Sequence, residues 1–182
     1  MPELHPLLAG RWSPHAFDPL ATLADPDLDA LLEAARWAPS AGNSQPWRYA
    51  VGRRDDEAHK RILANLPPAH QRWAGAAAAL LVGAHTRINP GGEPLPLAAY
   101  DLGQSVAHLW MQAAALGYYV HQITGFDADG LCADLALPPD VAPLVVIAIG
   151  RLGDPFELPP DLRRKEMALR LRRPVTELLL PG

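Results

Sequence analysis

Apolar residues recur at helical spacing most clearly in the middle of the chain. Leu102, Val106, Leu109, Trp110, Ala113 and Leu116 predict a helix over 97–116, closed by Gly117 as the residue just past its end. Alanines populate its other faces, so this helix is expected to be central and buried on more than one side. Asp101, Gln104, His108 and Gln112 interrupt it too often for a lipid-facing span. Upstream, Leu28, Leu31, Leu32 and Ala35 form the apolar face of a helix over 27–37, opened by Asp25 as N-cap and Pro26 at the first helical position. Ala58, Ile62, Leu63 and Leu66 predict a second amphipathic helix over 55–66. The alternation of Trp47, Tyr49 and Val51 predicts a strand over 47–51, and the continuous apolar run over 76–84 predicts a buried one. Two more strands are expected over 118–123 and 144–149, with a short helix over 127–135 between them.

The order is helix, strand, helix, strand, long helix, strand, helix, strand. No glycine-rich phosphate loop follows any strand, which excludes the doubly wound nucleotide folds and leaves a layered α+β domain. From Arg151 to Gly182 the pattern changes: Pro155, Pro159 and Pro160, a basic helical segment, then Pro174 and Pro181. This stretch is expected to be an arm of a single domain spanning 1–182, laid over something else.

Twenty prolines in 182 residues raise the question of disorder, but an apolar content of 49% argues for a packed protein whose prolines mark loops. They recur from Pro2 to Pro96, vanish until Pro138 and return, so the gap holds the central helix. One cysteine, Cys132, makes no internal disulfide, excludes a Cys-rich zinc site and fits a reducing cytoplasm. Sixteen Lys and Arg against 20 Asp and Glu give a net charge of −4, which disfavours general nucleic-acid binding. Neither a signal peptide nor a membrane span is read.

Three segments carry candidate chemistry. The first runs from Arg11 through Trp12, Ser13 and His15 to Asp18. On spacing alone it reads as an ordinary turn with an exposed Arg, although Arg and Ser two residues apart could also hold a phosphate. The second is Ala38 to Trp47, containing Pro39, Ser40, Ala41, Gly42, Asn43 and Gln45. A helix end and turn explain Pro39 and Gly42 but not Asn43, Gln45 and Trp47 together; small residues there let a flat ligand approach the backbone. Ser40 lacks the first glycine and the preceding strand of a nucleophile elbow. The third segment packs Arg163, Arg164, Lys165, Arg170, Arg172 and Arg173 into eleven positions: a solvated face, or a counter-charge to a bound phosphate. The seven histidines have no i,i+4 pair and suggest no metal site. His108 is expected to be a satisfied buried histidine, and Cys132 a small packing residue.

Together these segments resemble the nitroreductase family of flavin enzymes. Arg11-x-Ser13-x-His15-x-Phe17 is similar to the family's N-terminal motif, and Ala38-Pro39-Ser40-x-x-Asn43-x-Gln45-Pro46-Trp47 to its most recognisable loop. Gln122-Ile123-Thr124-Gly125-Phe126-Asp127 resembles the segment whose backbone lies along the flavin, and Arg170-x-Arg172-x-Pro174 the closing basic motif. The matches fall in the family's order from Arg11 to Pro174.

The resemblance implies an α+β homodimer with two FMN molecules at the subunit interface. Arg11, Ser13, Arg170 and Arg172 would hold the phosphate, with the Trp12 backbone nearby. Pro39, Ser40, Ala41 and Asn43 would contact the flavin from the other subunit. Gln122, Ile123, Thr124 and Gly125 would line the ring, with the Thr124 N–H near N5. The implied reaction takes hydride from NADH or NADPH onto FMN and passes it to an oxidised substrate such as a nitroaromatic or quinone. The cofactor carries the chemistry, so no general acid or base is assigned. Two positions depart from the pattern. His15 stands where relatives usually carry Arg or Lys near the pyrimidine edge, and His70 where many carry Asn at the ring edge. A histidine at position 15 would be only partly charged near neutrality, which would steepen the pH dependence of the flavin potential. The same departure keeps a rival function open, FMN binding for storage or sensing without turnover.

Overall fold

The computed structural model describes residues 3–180, so Pro2 and Pro181 lie outside the described residues. Its centre is a four-stranded, wholly antiparallel sheet of β1 (Trp47–Arg53), β2 (Ala79–Thr86), β3 (Tyr119–Ile123) and β4 (Val141–Gly150), in the order β1-β2-β4-β3. Among the described residues seven α-helices accompany it: α1 (Pro6–Gly10), α2 (Asp25–Arg36), α3 (Glu57–Ala64), α4 (Pro68–Ala74), α5 (Ala98–Ala115), α6 (Ala128–Asp134) and α7 (Pro160–Glu166). The layered α+β arrangement agrees with the expectation from sequence.

Both faces of the sheet are covered, which is why β2 and β4 read as unbroken apolar runs. Leu81, Val145, Ile147 and Ile149 point to one face, where they pack with Leu31 of α2 and with Leu102, Val106, Leu109 and Trp110 of α5. Leu80, Val82, Val146 and Ala148 point to the other and meet Ile62 of α3, Trp73 of α4, Leu131 of α6, Phe17 and Leu162. Full burial of each such side chain is worth about 1.5–3 kcal/mol.

Several elements differ from the pattern-based expectation. Strand β2 begins at Ala79 because Ala76 and Ala77 close hydrogen-bonded turns after the unpredicted helix α4. Strand β4 begins three residues early and contains Pro143. The register shifts between Gly83 and Ala84, which pair with Val145 and Pro143 and leave Leu144 unmatched. β3 pairs β4 only from Val146 onward, so the missing N–H of Pro143 interrupts no ladder on that side. Helix α2 starts at Asp25, two residues before the expected 27. Ala24 is its cap and accepts the first helical bond, placing Asp25 and Pro26 at the first two positions, where an N–H has no helical partner anyway.

The central helix also departs from expectation. Ala98, Asp101, Leu102, Ser105, Val106, Leu109, Trp110 and Ala113 form one broad buried face, whereas Leu97, Tyr100 and Met111 on the remaining surface are exposed. Gly117 follows it at φ +76°, a conformation that side chains with a Cβ rarely adopt. His108 is half-buried rather than buried, and Cys132 is half-buried as well.

The arm starts beside the N-terminal segment. Phe17 pairs with Leu152, the Asp18 N–H donates to the Arg151 carbonyl and the Gly153 N–H to the Ala16 carbonyl. The basic segment is helical only in part: α7 holds Arg163, Arg164 and Lys165 but stops at Glu166, leaving Arg170, Arg172 and Arg173 in irregular chain.

Candidate active site

The turn from Arg11 to Phe17 is held on three sides. Trp12 packs edge-on against Tyr119 of β3, with ring centroids 6.3 Å apart. Arg11 lies over Trp110 of α5 at 5.9 Å, and its guanidinium donates to Ser13 Oγ at 3.3 Å. From the arm, Arg170 donates to the carbonyls of Ala9 and Arg11 at 3.1 and 2.9 Å, which fixes the arm over this turn. Partial burial holds the Arg11 guanidinium below its ordinary value, and the charges of Arg172 and Arg170 lower it further. Among the described residues no carboxylate forms an ion pair with Arg11, Arg170 or Arg172. Arg170 and Arg172 thus both lie within electrostatic reach of Arg11, which holds the Ser13 hydroxyl, and guanidinium donors grouped in this way are chemically suited to an anion.

A second cluster lies two residues along the same turn. Glu166, its side chain only 3% exposed, accepts the backbone N–H groups of His15 and Ala16 at 2.8 and 3.1 Å and the His15 ring at 3.0 Å. His121 of β3 donates from Nδ1 to the Pro14 carbonyl at 2.8 Å. Its ring lies 4.4 Å from Trp73 and 4.8 Å from His15, and burial pushes it down to about 4. His70 meets Trp73 edge-on at 5.9 Å. Burial first, then the charges of His15 and Lys165, lowers it as well, and its Nδ1 is buried without a partner among the described residues. The next residues of β3 and beyond, Gln122, Thr124 and Gly125, are exposed beside this cluster, while Ile123 is buried in the core.

The loop from Ala38 to Trp47 is built differently. Gly42, Asn43 and Gln45 take φ of +57°, +55° and +46°. Asparagine tolerates this region better than most residues, and internal bonds hold the rest: Ser40 Oγ accepts the Gln45 N–H at 3.0 Å, and Gln45 Nε2 donates to Asn43 Oδ1 at 3.2 Å. Ser40 therefore serves the loop, not a histidine. Two polar residues of α5 anchor it. Asp101 accepts the Ala41 N–H at 3.1 Å, and Ser105 donates to the Ala35 carbonyl at 2.9 Å while its hydroxyl also meets Tyr49 at 2.8 Å. Burial raises the Tyr49 phenol to about 12. Pro39, Ala41 and Asn43 remain exposed.

Within one chain, the predicted residues thus fall into two groups. Arg11, Trp12, Ser13, His15, His70, Gln122 and the arm arginines share one neighbourhood, whereas Pro39, Ser40, Ala41 and Asn43 sit near the start of α5. Asp101 and Trp110 mark the two places and are nine residues apart, about 13 Å along the helix. Sequence inspection missed Glu166, His121, Asp101 and Ser105 as site-building residues; their only signal was that polar side chains occupy positions that the fold buries.

An antiparallel sheet covered by helices on both faces, with a C-terminal arm docked on the N-terminal turn, defines the α+β class of the fold. The sequence profile of the nitroreductase family matches residues 8–69, and the chain belongs to that family. A solved oxidoreductase containing FMN is 34% identical, with a TM-score of 0.93, over 100% of this chain and 92% of that one. A nitroreductase family protein from Clostridium difficile 630 has the same fold, with a TM-score of 0.74 at 21% identity, over 96% and 95% of the two chains. YdgI of Bacillus subtilis (strain 168), named as a candidate NAD(P)H nitroreductase, is 23% identical over 85% of this chain and 93% of its own length. No helix among the described residues is long and apolar enough to cross a membrane.

Proposed function

We propose that the protein is an FMN-dependent oxidoreductase that takes hydride from NADH or NADPH and delivers it to an oxidised small molecule such as a nitroaromatic or quinone. The observation that carries this is the cluster of Arg11, Arg170 and Arg172 beside Ser13, with no carboxylate partner among the described residues. A phosphate dianion fits such a cradle in charge and in donor chemistry. Membership of the nitroreductase family, and a relative that contains FMN, support FMN as the molecule carrying that phosphate.

Bound there, FMN supplies the hydride chemistry at N5. The chain's own residues bind and orient it. Arg11, Ser13, Arg170 and Arg172 hold the phosphate, with the Trp12 backbone beside it. Gln122, Ile123, Thr124 and Gly125 offer backbone along the ring, and His15 and His70 stand at its polar edge. Pro39, Ser40, Ala41 and Asn43 come from a second copy of the chain, as the resemblance to the family implies; within one chain Asp101 and Trp110, which mark the two groups, lie about 13 Å apart along α5. The working unit is therefore a homodimer of single-domain chains. A lone Cys132 suits a reducing cytoplasm.

The test is to purify the protein, record its visible spectrum and add NADH or NADPH without oxygen. Rapid bleaching of a yellow protein, with colour restored by a nitroaromatic or quinone, is the expected result. A yellow protein that stays oxidised would replace this function with flavin storage or sensing. A colourless protein that cannot be reconstituted with FMN would overturn both.

A further inference from the structure

We propose that Glu166 is the positioning residue of the flavin site: it fixes the His15 ring as the Nδ1–H form and turns Nε2 toward the bound flavin. This inference rests on the proposed FMN function.

Glu166 Oε1 accepts the Ala16 N–H and Oε2 accepts the His15 N–H, so both oxygens already act as acceptors toward fixed backbone donors. The His15 Nδ1 that meets Oε2 at 3.0 Å must therefore donate, and the proton of the neutral ring sits on Nδ1. This leaves Nε2 with a lone pair in the neutral ring and an N–H in the cation. Among the described residues Nε2 has no hydrogen-bond partner. It is not one of the buried orphans either, so it opens to the 19% of the side chain that solvent reaches. Along the chain His15 is two residues from Ser13, whose hydroxyl accepts the Arg11 guanidinium.

The groups facing His15 come from three other elements, and they do not duplicate it. His121 of β3 spends its Nδ1–H on the Pro14 carbonyl, and burial keeps that ring neutral over most of the working range. His70 of α4 is disfavoured as a cation by burial and by the charges of His15 and Lys165. Lys165 and Glu166 come from α7, and only Glu166 touches His15. Of the three histidines around Trp73, His15 alone has a carboxylate partner. A ring pinned at one nitrogen and open at the other presents a single polar atom in a fixed direction. The same three bonds dock the end of α7 on the turn, which delivers Arg170 to the carbonyls of Ala9 and Arg11.

The test combines side-chain ¹⁵N NMR of histidine-labelled full-length protein with FMN titration. In wild type the His15 ring is expected in the Nδ1–H form, and FMN addition is expected to move its Nε2 resonance. Glu166→Gln should give a mixture of ring forms and weaken FMN binding about tenfold, and Glu166→Asp should restore most of both. His15→Asn keeps the backbone bonds to Glu166, and therefore the docked arm. It should bind FMN more weakly than wild type. An Nε2–H form in wild type would overturn the inference, as would FMN that binds without moving the His15 signals. If the ring form is as expected but no FMN binds at all, the proposed function fails and with it the ligand-facing half of the inference.

Discussion

The buried carboxylate of Asp101 accepts the backbone N–H of Ala41 at 3.1 Å, and one turn later on the same helix face Ser105 donates to the Ala35 carbonyl at 2.9 Å. Helix α5 thus grips the start of the Ala38–Trp47 loop and the chain that leads into it. The loop contains three residues in the left-handed region, a conformation that persists only where surrounding bonds over-determine it. Asp101→Ala should cost about 2 kcal/mol of stability in urea unfolding, by leaving the Ala41 N–H without its acceptor. The freed loop should lower FMN affinity about tenfold. Asp101→Asn retains an acceptor oxygen and should lose less than half as much on both measures. An alanine variant with wild-type affinity and stability would show that the grip is incidental.

The arginine cradle predicts selectivity for the phosphate. Arg170→Gln removes one cation and the bonds to Ala9 and Arg11. FMN affinity should fall about ten- to a hundredfold, the worth of one charge-assisted hydrogen-bond set. Riboflavin, which lacks the phosphate, should bind the variant and the wild type equally. The advantage of FMN over riboflavin should also shrink with added salt in the wild type, because Arg170 and Arg172 are exposed. Equal losses for FMN and riboflavin would place the phosphate elsewhere.

Much of this architecture was legible along the chain, and the failures have physical causes. Leu102, Val106, Leu109, Trp110 and Ala113 announced the buried face of α5, and Gly117 its end, because periodicity and a positive φ are local properties. Pro143 hid the first residues of β4, since its missing N–H is harmless only where β3 does not pair, a fact of tertiary structure. The motif residues of the site were readable, but the groups that hold them were not. Glu166 lies 151 positions from His15, and Asp101 lies 60 from Ala41. Nothing in a single chain couples such pairs until the fold brings them together.

Acid should destabilise the fold through its buried histidines. His121 is pushed from its ordinary 6.5 down to about 4, chiefly by burial. Between those two values the unfolded chain carries a proton that the folded chain lacks, so stability falls as pH is lowered through that window. The loss attributable to His121 is on the order of 3 kcal/mol at most by pH 4. His59 and His70, also lowered by burial, act with the same sign. His121→Asn keeps a donor for the Pro14 carbonyl without a titrating ring. It should therefore flatten the midpoint of urea unfolding against pH between 6.5 and 4. Parallel pH profiles for the variant and the wild type would rule out this histidine as the source.

The outer surface of α5 and the arm predict the oligomer. Leu97, Tyr100 and Met111 are exposed on the helix, and Leu169, Leu171, Val175, Leu178, Leu179 and Leu180 on the arm. A groove of about 610 Å³ between α2 and α5, lined by Leu7, Ala34, Trp37, His108 and Met111 among others, runs along the same surface. So many large apolar side chains left exposed are unusual for a lone chain and suit an interface between copies. Sedimentation should give twice the chain mass of 19.7 kDa. Met111→Asp places a charge in the groove. It should yield a folded monomer, with an unchanged far-ultraviolet spectrum and FMN binding weaker by at least about tenfold, because the Ala38–Trp47 loop of a second copy is no longer supplied. A monomeric wild type, or a monomeric variant that keeps full FMN affinity, would mean that one chain completes the site alone.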